Sequence, residues 1–250
     1  IVMMRTYQHK KILEFSKYLT IPIINGLTDL NHPCQIMSDI MTFEELKGPI
    51  NNKKIAWVGD GNNVAGSLAL GCSSIGADFI IASPPDYRIP SIIWEKAKQR
   101  ASETNAKIEW VEIPMQAVQN ADVVYTDVWI SMGQDGERET RLNDFKEFQV
   151  NEDLMAKAKS DAIFMHDMPD SDALSKFETY SFSGKSDVQV VDSKTLDKVN
   201  SDQRFSYFAS LNDDSNLDEI VNAAKNNAES VIIEFEENTE WKIIPLENLI

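Results

Sequence analysis

Lys54-Ile55-Ala56-Trp57-Val58-Gly59-Asp60-Gly61-Asn62-Asn63 is the stretch on which the fold turns. A short apolar run without alternation suits a strand buried on both faces, as in a parallel sheet covered by helices. Gly59-Asp60-Gly61 stops it, and residues 63–74 then read as a helix. The unit repeats downstream. Residues 78–82 read as a strand closed by Pro84-Pro85, 91–104 as a helix, and 107–111 as a strand. Residues 114–120 follow as a short helix with Pro114 in its first turn. Residues 122–126 and 162–165 are two more strands, with a helix over 150–159 between them. Strand–helix alternation of this kind predicts a doubly wound, Rossmann-like α/β domain with right-handed crossovers.

Upstream, residues 6–18 and 32–46 read as helices, and 21–24 as a strand. Downstream of Pro169-Asp170 the composition changes. Residues 171–250 hold one of ten Gly, and 7 Lys+Arg against 16 Asp+Glu, a net of −9 out of −16 for all 250 residues. Within that acidic stretch, Leu217, Ile220, Val221, Ala224 and Ala228 share a helical face, and residues 204–211, 230–235 and 241–244 read as strands. We therefore expect three parts: 1–46, a domain over 47–170, and a small acidic α/β tail over 171–250.

The charge balance disfavours nucleic acid and anionic membrane surfaces as partners. Two Cys make no disulfide framework and suit a reducing compartment. No apolar run approaches the roughly 20 residues of a membrane helix. Charged residues throughout positions 1–20 exclude a signal peptide there. A soluble, cytoplasmic protein is the expectation. Two Cys and three scattered His offer no zinc spacing, so no metal is expected.

In a doubly wound sheet, ligands sit beyond the carboxyl ends of the strands. Three polar clusters fall there. Gly59-Asp60-Gly61-Asn62-Asn63 lacks the third glycine of a dinucleotide fingerprint, and it suits either an anionic ligand group at a helix start or a plain strand-to-helix turn. In Asp127-Val128-Trp129-Ile130-Ser131-Met132-Gly133, Asp127 can accept from a ligand ammonium and Ser131 can bind a carboxylate, or both can cap the next segment. His166-Asp167-Met168-Pro169 is the third, with a structural histidine as its plainer reading. A fourth cluster, His32-Pro33-Cys34-Gln35, places His32 and Gln35 three apart on one helix face. An imidazole and an amide there can polarise a carbonyl without adding charge.

In this order the clusters resemble the ornithine carbamoyltransferase family. The likeness rests on Pro22-Ile23-Ile24-Asn25-Gly26-Leu27-Thr28-Asp29 leading into HPCQ, on Trp57 to Val64, on Tyr125 to Gly133 with its Ser-Met-Gly, and on Phe164 to Pro169. It covers residues 5–170. The resemblance implies transfer of the carbamoyl group from carbamoyl phosphate to the δ-amino group of L-ornithine, giving citrulline, with no cofactor or metal. It implies that 1–46 is the end of a carbamoyl-phosphate domain and 47–170 an ornithine domain. His32 and Gln35 would hold the carbamoyl group, and Asn63, Asp127, Ser131 and Met132 the amino-acid part of ornithine. It also implies a homotrimer.

Three departures accompany the likeness. No Ser-Thr-Arg-Thr-Arg phosphate loop occurs in the sequence. Asp167 stands where the family has Cys, and a carboxylate there would keep the δ-ammonium protonated and oppose its attack. The family's Ala-His-Arg-Gly stretch is replaced by Asp170-Ser171-Asp172. Impaired turnover is therefore expected. A non-catalytic amino-acid-binding module is the alternative. The tail, through Val231-Ile232-Ile233-Glu234 and Glu240 to Ile250, resembles an archaeal-type 3-dehydroquinate synthase, which implies a fusion.

Overall fold

The computed structural model describes residues 1–131 and 134–167, together with the backbone of four later strands. The chain divides into two compact units, Gln35–Ser201 and Ile1–Cys34 with Asp202–Ile250.

The strands in chain order are β1 (Val2–Arg5), β2 (Ile23–Leu27), β3 (Lys54–Val58), β4 (Asp78–Ala82), β5 (Ile108–Val111), β6 (Val123–Thr126), β7 (Val150–Asn151), β8 (Ile163–His166), β9 (Tyr180–Ser181), β10 (Gln189–Val191), β11 (Tyr207–Leu211) and β12 (Val231–Phe235). The α-helices are α1 (His9–Phe15), α2 (Pro33–Lys47), α3 (Asn63–Ile75), α4 (Ser91–Thr104), α5 (Pro114–Val118), α6 (Arg138–Phe145) and α7 (Glu152–Met155).

The larger unit is built on a six-stranded sheet in the order β10-β8-β6-β3-β4-β5, parallel at every pairing. This is the doubly wound α/β class that the apolar strands predict. The winding runs from β3 outward through β4 to β5, then returns to the other side of β3 for β6 and β8. The switch point of the topology is the gap between β3 and β6.

Both faces of the sheet are buried, which is why its strands carry no alternation. Ala56, Val58, Ile80, Ala82, Val124 and Phe164 pack with Ala117 and Val118 of α5, Phe145 of α6, and Leu154 and Met155 of α7. On the other face Trp57 and Tyr125 are fully buried and stack with ring centroids 5.1 Å apart. The Tyr125 hydroxyl donates to Asp39 of α2 on that face. α3 starts from the Asn62 cap and ends at Gly76, whose φ of 76° is the left-handed stop of a helix.

The smaller unit has a four-stranded sheet, β11-β12-β1-β2, again parallel throughout. Val2 to Arg5 pair with Val231 to Glu234, so sequence-distant segments share one sheet.

Several elements differ from the sequence reading. The helix expected over 150–159 is strand β7 followed by the single turn α7. Asn151 explains the change, since its side chain accepts from Leu154 N at 2.9 Å and caps the turn there. The helix expected over 6–18 is shorter, α1 closed by a 3-10 turn at Ser16–Tyr18. β1 and α6 are additional elements. The expected strands near 204–211 and 230–235 occur as β11 and β12, while the helix around 217–228 and the strand over 241–244 lie outside the described residues. The two compact units do not follow the divisions expected at 46 and 170. β10, from beyond 170, pairs with β8.

Candidate functional site

The carboxyl ends of β3, β6 and β8 lie side by side, because Trp57 pairs with Tyr125 and Thr126 with His166. The polar clusters that follow these strands are thereby gathered at the switch point, where a doubly wound sheet opens its ligand crevice.

The turn after β3 is shaped by two glycines. Gly59 has φ 136°, a conformation that side chains rarely adopt, and its N–H donates to Ala82 O. A Cβ on Gly61 would lie 2.5 Å from Arg88 C and 2.7 Å from Tyr87 O, both backbone atoms that cannot yield cheaply. The chain then reaches Asn62 in an extended conformation, with ψ −171°. Its Oδ1 accepts from Val64 N and Ala65 N, each at 3.0 Å, and its Nδ2 donates to Asp127 Oδ2 at 2.7 Å. One side chain thus caps α3 and ties the β3 turn to the β6 turn across the switch point.

Asp127 is 7% exposed, and its second oxygen accepts from Val128 N at 2.7 Å. Burial raises its pKa to about 6, against the pull of these two hydrogen bonds and with the help of nearby Asp60. It is therefore mostly a carboxylate at neutral pH. Asp60 is also buried, and burial raises its pKa, but Arg141 Nη1 holds it at 2.8 Å. Arg141 further donates to Trp129 O at 3.0 Å and to Glu137 Oε2 at 3.0 Å. α6 is thus fastened to both turns, and Arg141 balances one of the two acids.

Asn63 opens α3 half-buried, and its carbonyl accepts from Ser67 Oγ at 2.6 Å. Ser131 is half-buried in a turn with Gln134, its N–H donating to Gln134 Oε1 at 2.9 Å. Met132 lies outside the described residues. Asp167 is half-buried after β8 and, with Asp39 and Asp127, adds to the negative field that raises the Tyr125 pKa beyond what burial does. Beside it, burial lowers His166 to about 4, so the ring is neutral.

The His-Pro-Cys-Gln stretch straddles the two units. His32 belongs to the smaller one, where burial, then the Arg5 charge, lowers its pKa to about 4 and leaves a neutral imidazole. Cys34 donates to Asn25 O, and burial raises its pKa, so the thiol stays protonated. Gln35 belongs to the larger unit. Its Nε2 donates to Asp39 Oδ1 at 3.0 Å. Asp39 is 7% exposed and accepts from Tyr125 at its other oxygen, at 3.1 Å. No group of His, Cys, Asp and Glu suited to a metal occurs among the described residues.

Sequence reading singled out Asp127 but not Asn62, Asp39, Tyr125, Asp60 or Arg141. Asn62 had a signal, since Asn directly before a helix is a preferred cap. The others depend on contacts between distant segments.

Two family models match the chain. One, the carbamoyl-P binding domain of aspartate/ornithine carbamoyltransferases, covers residues 1–45, and the other, the Asp/Orn binding domain, covers residues 51–241.

The chain belongs to the aspartate/ornithine carbamoyltransferase family.

Among curated carbamoyltransferases it is similar to the anabolic ornithine carbamoyltransferase of Pyrococcus furiosus, 47% identical over 168 residues, 67% of this chain and 53% of that protein. It is likewise similar to the ornithine carbamoyltransferase of Methanopyrus kandleri, 49% identical over 170 residues, 67% of this chain and 54% of that one. The chain therefore spans about half the length of the curated relatives it matches. Among solved carbamoyltransferase structures, that of ornithine carbamoyltransferase from Pyrococcus furiosus has a TM-score of 0.65 at 42% identity, covering 72% of this chain and 60% of that one. The anabolic ornithine carbamoyltransferase of Campylobacter jejuni has a TM-score of 0.66 at 35% identity, covering 72% and 58%. No helix among the described residues is long and apolar enough to cross a membrane.

Proposed function

We propose that this chain binds L-ornithine at the switch point between β3 and β6, and is the ornithine-side portion of an enzyme that carbamoylates it. The observation that carries the reading is the buried Asp127 carboxylate, held in place by Asn62 and the Val128 N–H at the carboxyl ends of two adjacent strands. A carboxylate fixed in this way is preorganised to accept from the α-ammonium of an amino acid. Asn63, Ser131 and Met132 complete the recognition of the amino-acid part.

His32 and Gln35 hold the carbamoyl group of carbamoyl phosphate. The neutral His32 imidazole stabilises the carbonyl oxygen as charge builds on it, while Gln35, its amide nitrogen donating to Asp39, meets the carbamoyl group with its oxygen. The δ-amine nitrogen of ornithine then bonds to the carbamoyl carbon, the bond from that carbon to the phosphate oxygen breaks, and the nitrogen releases a proton. Citrulline and phosphate result, with no cofactor or metal in the step. Asp167 slows it, because a carboxylate near the δ-ammonium favours the protonated, non-nucleophilic form. The 250 residues contain no Ser-Thr-Arg-Thr-Arg run and carry a net charge of −16, so by themselves they offer a dianionic phosphate little compensation. A homotrimer in the cytoplasm, serving arginine biosynthesis, is part of this reading and rests on the family resemblance. For the tail, the likeness of Val231 to Glu234 and Glu240 to Ile250 to an archaeal-type 3-dehydroquinate synthase favours a fusion, against the Asp/Orn binding-domain match that runs to residue 241.

Citrulline formation from carbamoyl phosphate and L-ornithine by the purified chain tests the proposal. Slow formation that Asp127→Ala abolishes supports it. Ornithine binding without citrulline would favour the amino-acid-binding module, and no response to ornithine at millimolar concentration would remove both readings.

A further inference from the structure

Asp39 is a buried carboxyl group that the reaction does not use. It lies two turns into α2, faces Gln35 on its own helix, Tyr125 on β6 and Cys72 on α3, and feels the charge of Asp127. An amide such as that of Gln35 has a donor end and an acceptor end of nearly the same shape, and its partners decide which way it faces. A carboxylate can only accept. Burial raises the Asp39 pKa to about 7 against the hydrogen bonds from Gln35 and Tyr125, so the ionised form prevails above pH 7, where the test is run. With Asp39 Oδ1 at 3.0 Å, the nitrogen of Gln35 is committed to Asp39, and the oxygen is the pole left to meet a ligand.

We propose that Asp39 is a positioning residue that fixes the Gln35 amide with its oxygen free, so that the site selects the NH2 of a carbamoyl group and rejects the CH3 of an acetyl group. The selectivity rests on the reading that Gln35 holds the transferred group. Carbamoyl phosphate and acetyl phosphate differ at that one position and are close in size. An acceptor pole facing NH2 gains a hydrogen bond, whereas facing CH3 it is left unpaired, and unpaired polar groups are what make such sites selective. Half-burial of Gln35 and near-complete burial of Asp39 keep water from substituting freely. Tyr125 donates to the other carboxylate oxygen, so both Asp39 oxygens are used in the arrangement that holds the amide. The residue that sets the choice thus touches no substrate atom itself.

Asp39→Asn keeps the shape and removes the rule. Asparagine offers one acceptor and one donor end, and the Tyr125 hydroxyl can either donate or accept, so both orientations of Gln35 become available. Tyr125→Phe leaves the carboxylate in place and keeps the orientation. The test has two arms on the full chain. In the first, glutamine side chains are labelled with 15N and the Gln35 amide is assigned by its loss in Gln35→Leu. The Gln35 signal moves or splits in Asp39→Asn and stays close to wild type in Tyr125→Phe; an amide unaffected by Asp39→Asn overturns the proposal. This arm needs neither substrate nor turnover. In the second, calorimetry compares carbamoyl phosphate with acetyl phosphate. Wild type prefers carbamoyl phosphate by about tenfold, the worth of one hydrogen bond, and Asp39→Asn brings the ratio near one. An unchanged ratio in Asp39→Asn overturns the proposal. If wild type binds neither phosphate, it is the carbamoyl-holding role of Gln35 that fails, and the amide signal alone decides whether Asp39 positions the side chain.

Discussion

Replacing Asn62 removes two contacts at once, and the structure allows each to be weighed. The cap on α3 is two hydrogen bonds to Oδ1, from Val64 N and Ala65 N, and loss of such a cap costs about 1 kcal/mol. The 2.7 Å bond from Nδ2 to Asp127 is charge-assisted and partly buried, worth about 1.5–3 kcal/mol. Asn62→Ala is therefore expected to cost roughly 2–4 kcal/mol. Asn62→Ser keeps a capping oxygen but cannot reach Asp127, so it should recover about 1 kcal/mol of that loss. Urea unfolding followed by tryptophan fluorescence reads the effect, because Trp57 and Trp129 are buried in the unit concerned. A double-mutant cycle with Asp127→Ala isolates the bridge, with an expected coupling of about 1–2 kcal/mol. Coupling below about 0.3 kcal/mol, which is simple additivity, would refute the view that Asn62 ties the two turns together.

Three further outcomes follow from the same geometry. Arg141→Met leaves Asp60 buried without its cation and should destabilise the chain by about 3–5 kcal/mol, read as a lower urea midpoint. Ornithine affinity should hold above pH 7 and fall about tenfold per unit below pH 6, because Asp127 titrates at about 6 and its protonated form cannot pair with an ammonium; calorimetry across pH 5–8 measures it, and a flat profile would place the ammonium elsewhere. Asp167→Cys should raise citrulline formation at pH 7 by about tenfold, the factor carried by one unit in the pKa of the attacking amine, as seen in initial rates at saturating ornithine.

The strands of the larger sheet were legible in the sequence because both faces are buried, and continuous apolar runs such as Ile55 to Val58 have little other use. The switch point was legible too, since polar clusters directly after such strands mark where ligands bind. What escaped reading was pairing at a distance. Arg141 sits in a polar helix and looks like a surface residue, yet it is held by Asp60, 81 residues earlier. Asp39 looks like a polar position on an amphipathic helix until Tyr125, 86 residues on, donates to it. Periodicity reports which face of an element is buried and says nothing of which polar groups meet there. β1 escaped for a related reason: its neighbours are β2 and the much later β12, and four residues carry too little pattern to announce a strand. At the β3 turn, the role of Asn62 beside Asn63 went unread. Asn63 opens the helix, while Asn62, the cap, is the side chain that reaches Asp127.

The most direct test of the account is calorimetric titration of the full chain with L-ornithine, wild type beside Asp127→Ala. Binding in the wild type that is lost in the variant is the expected result. Equal heats from both proteins would contradict an amino-acid site at the carboxyl ends of β3 and β6.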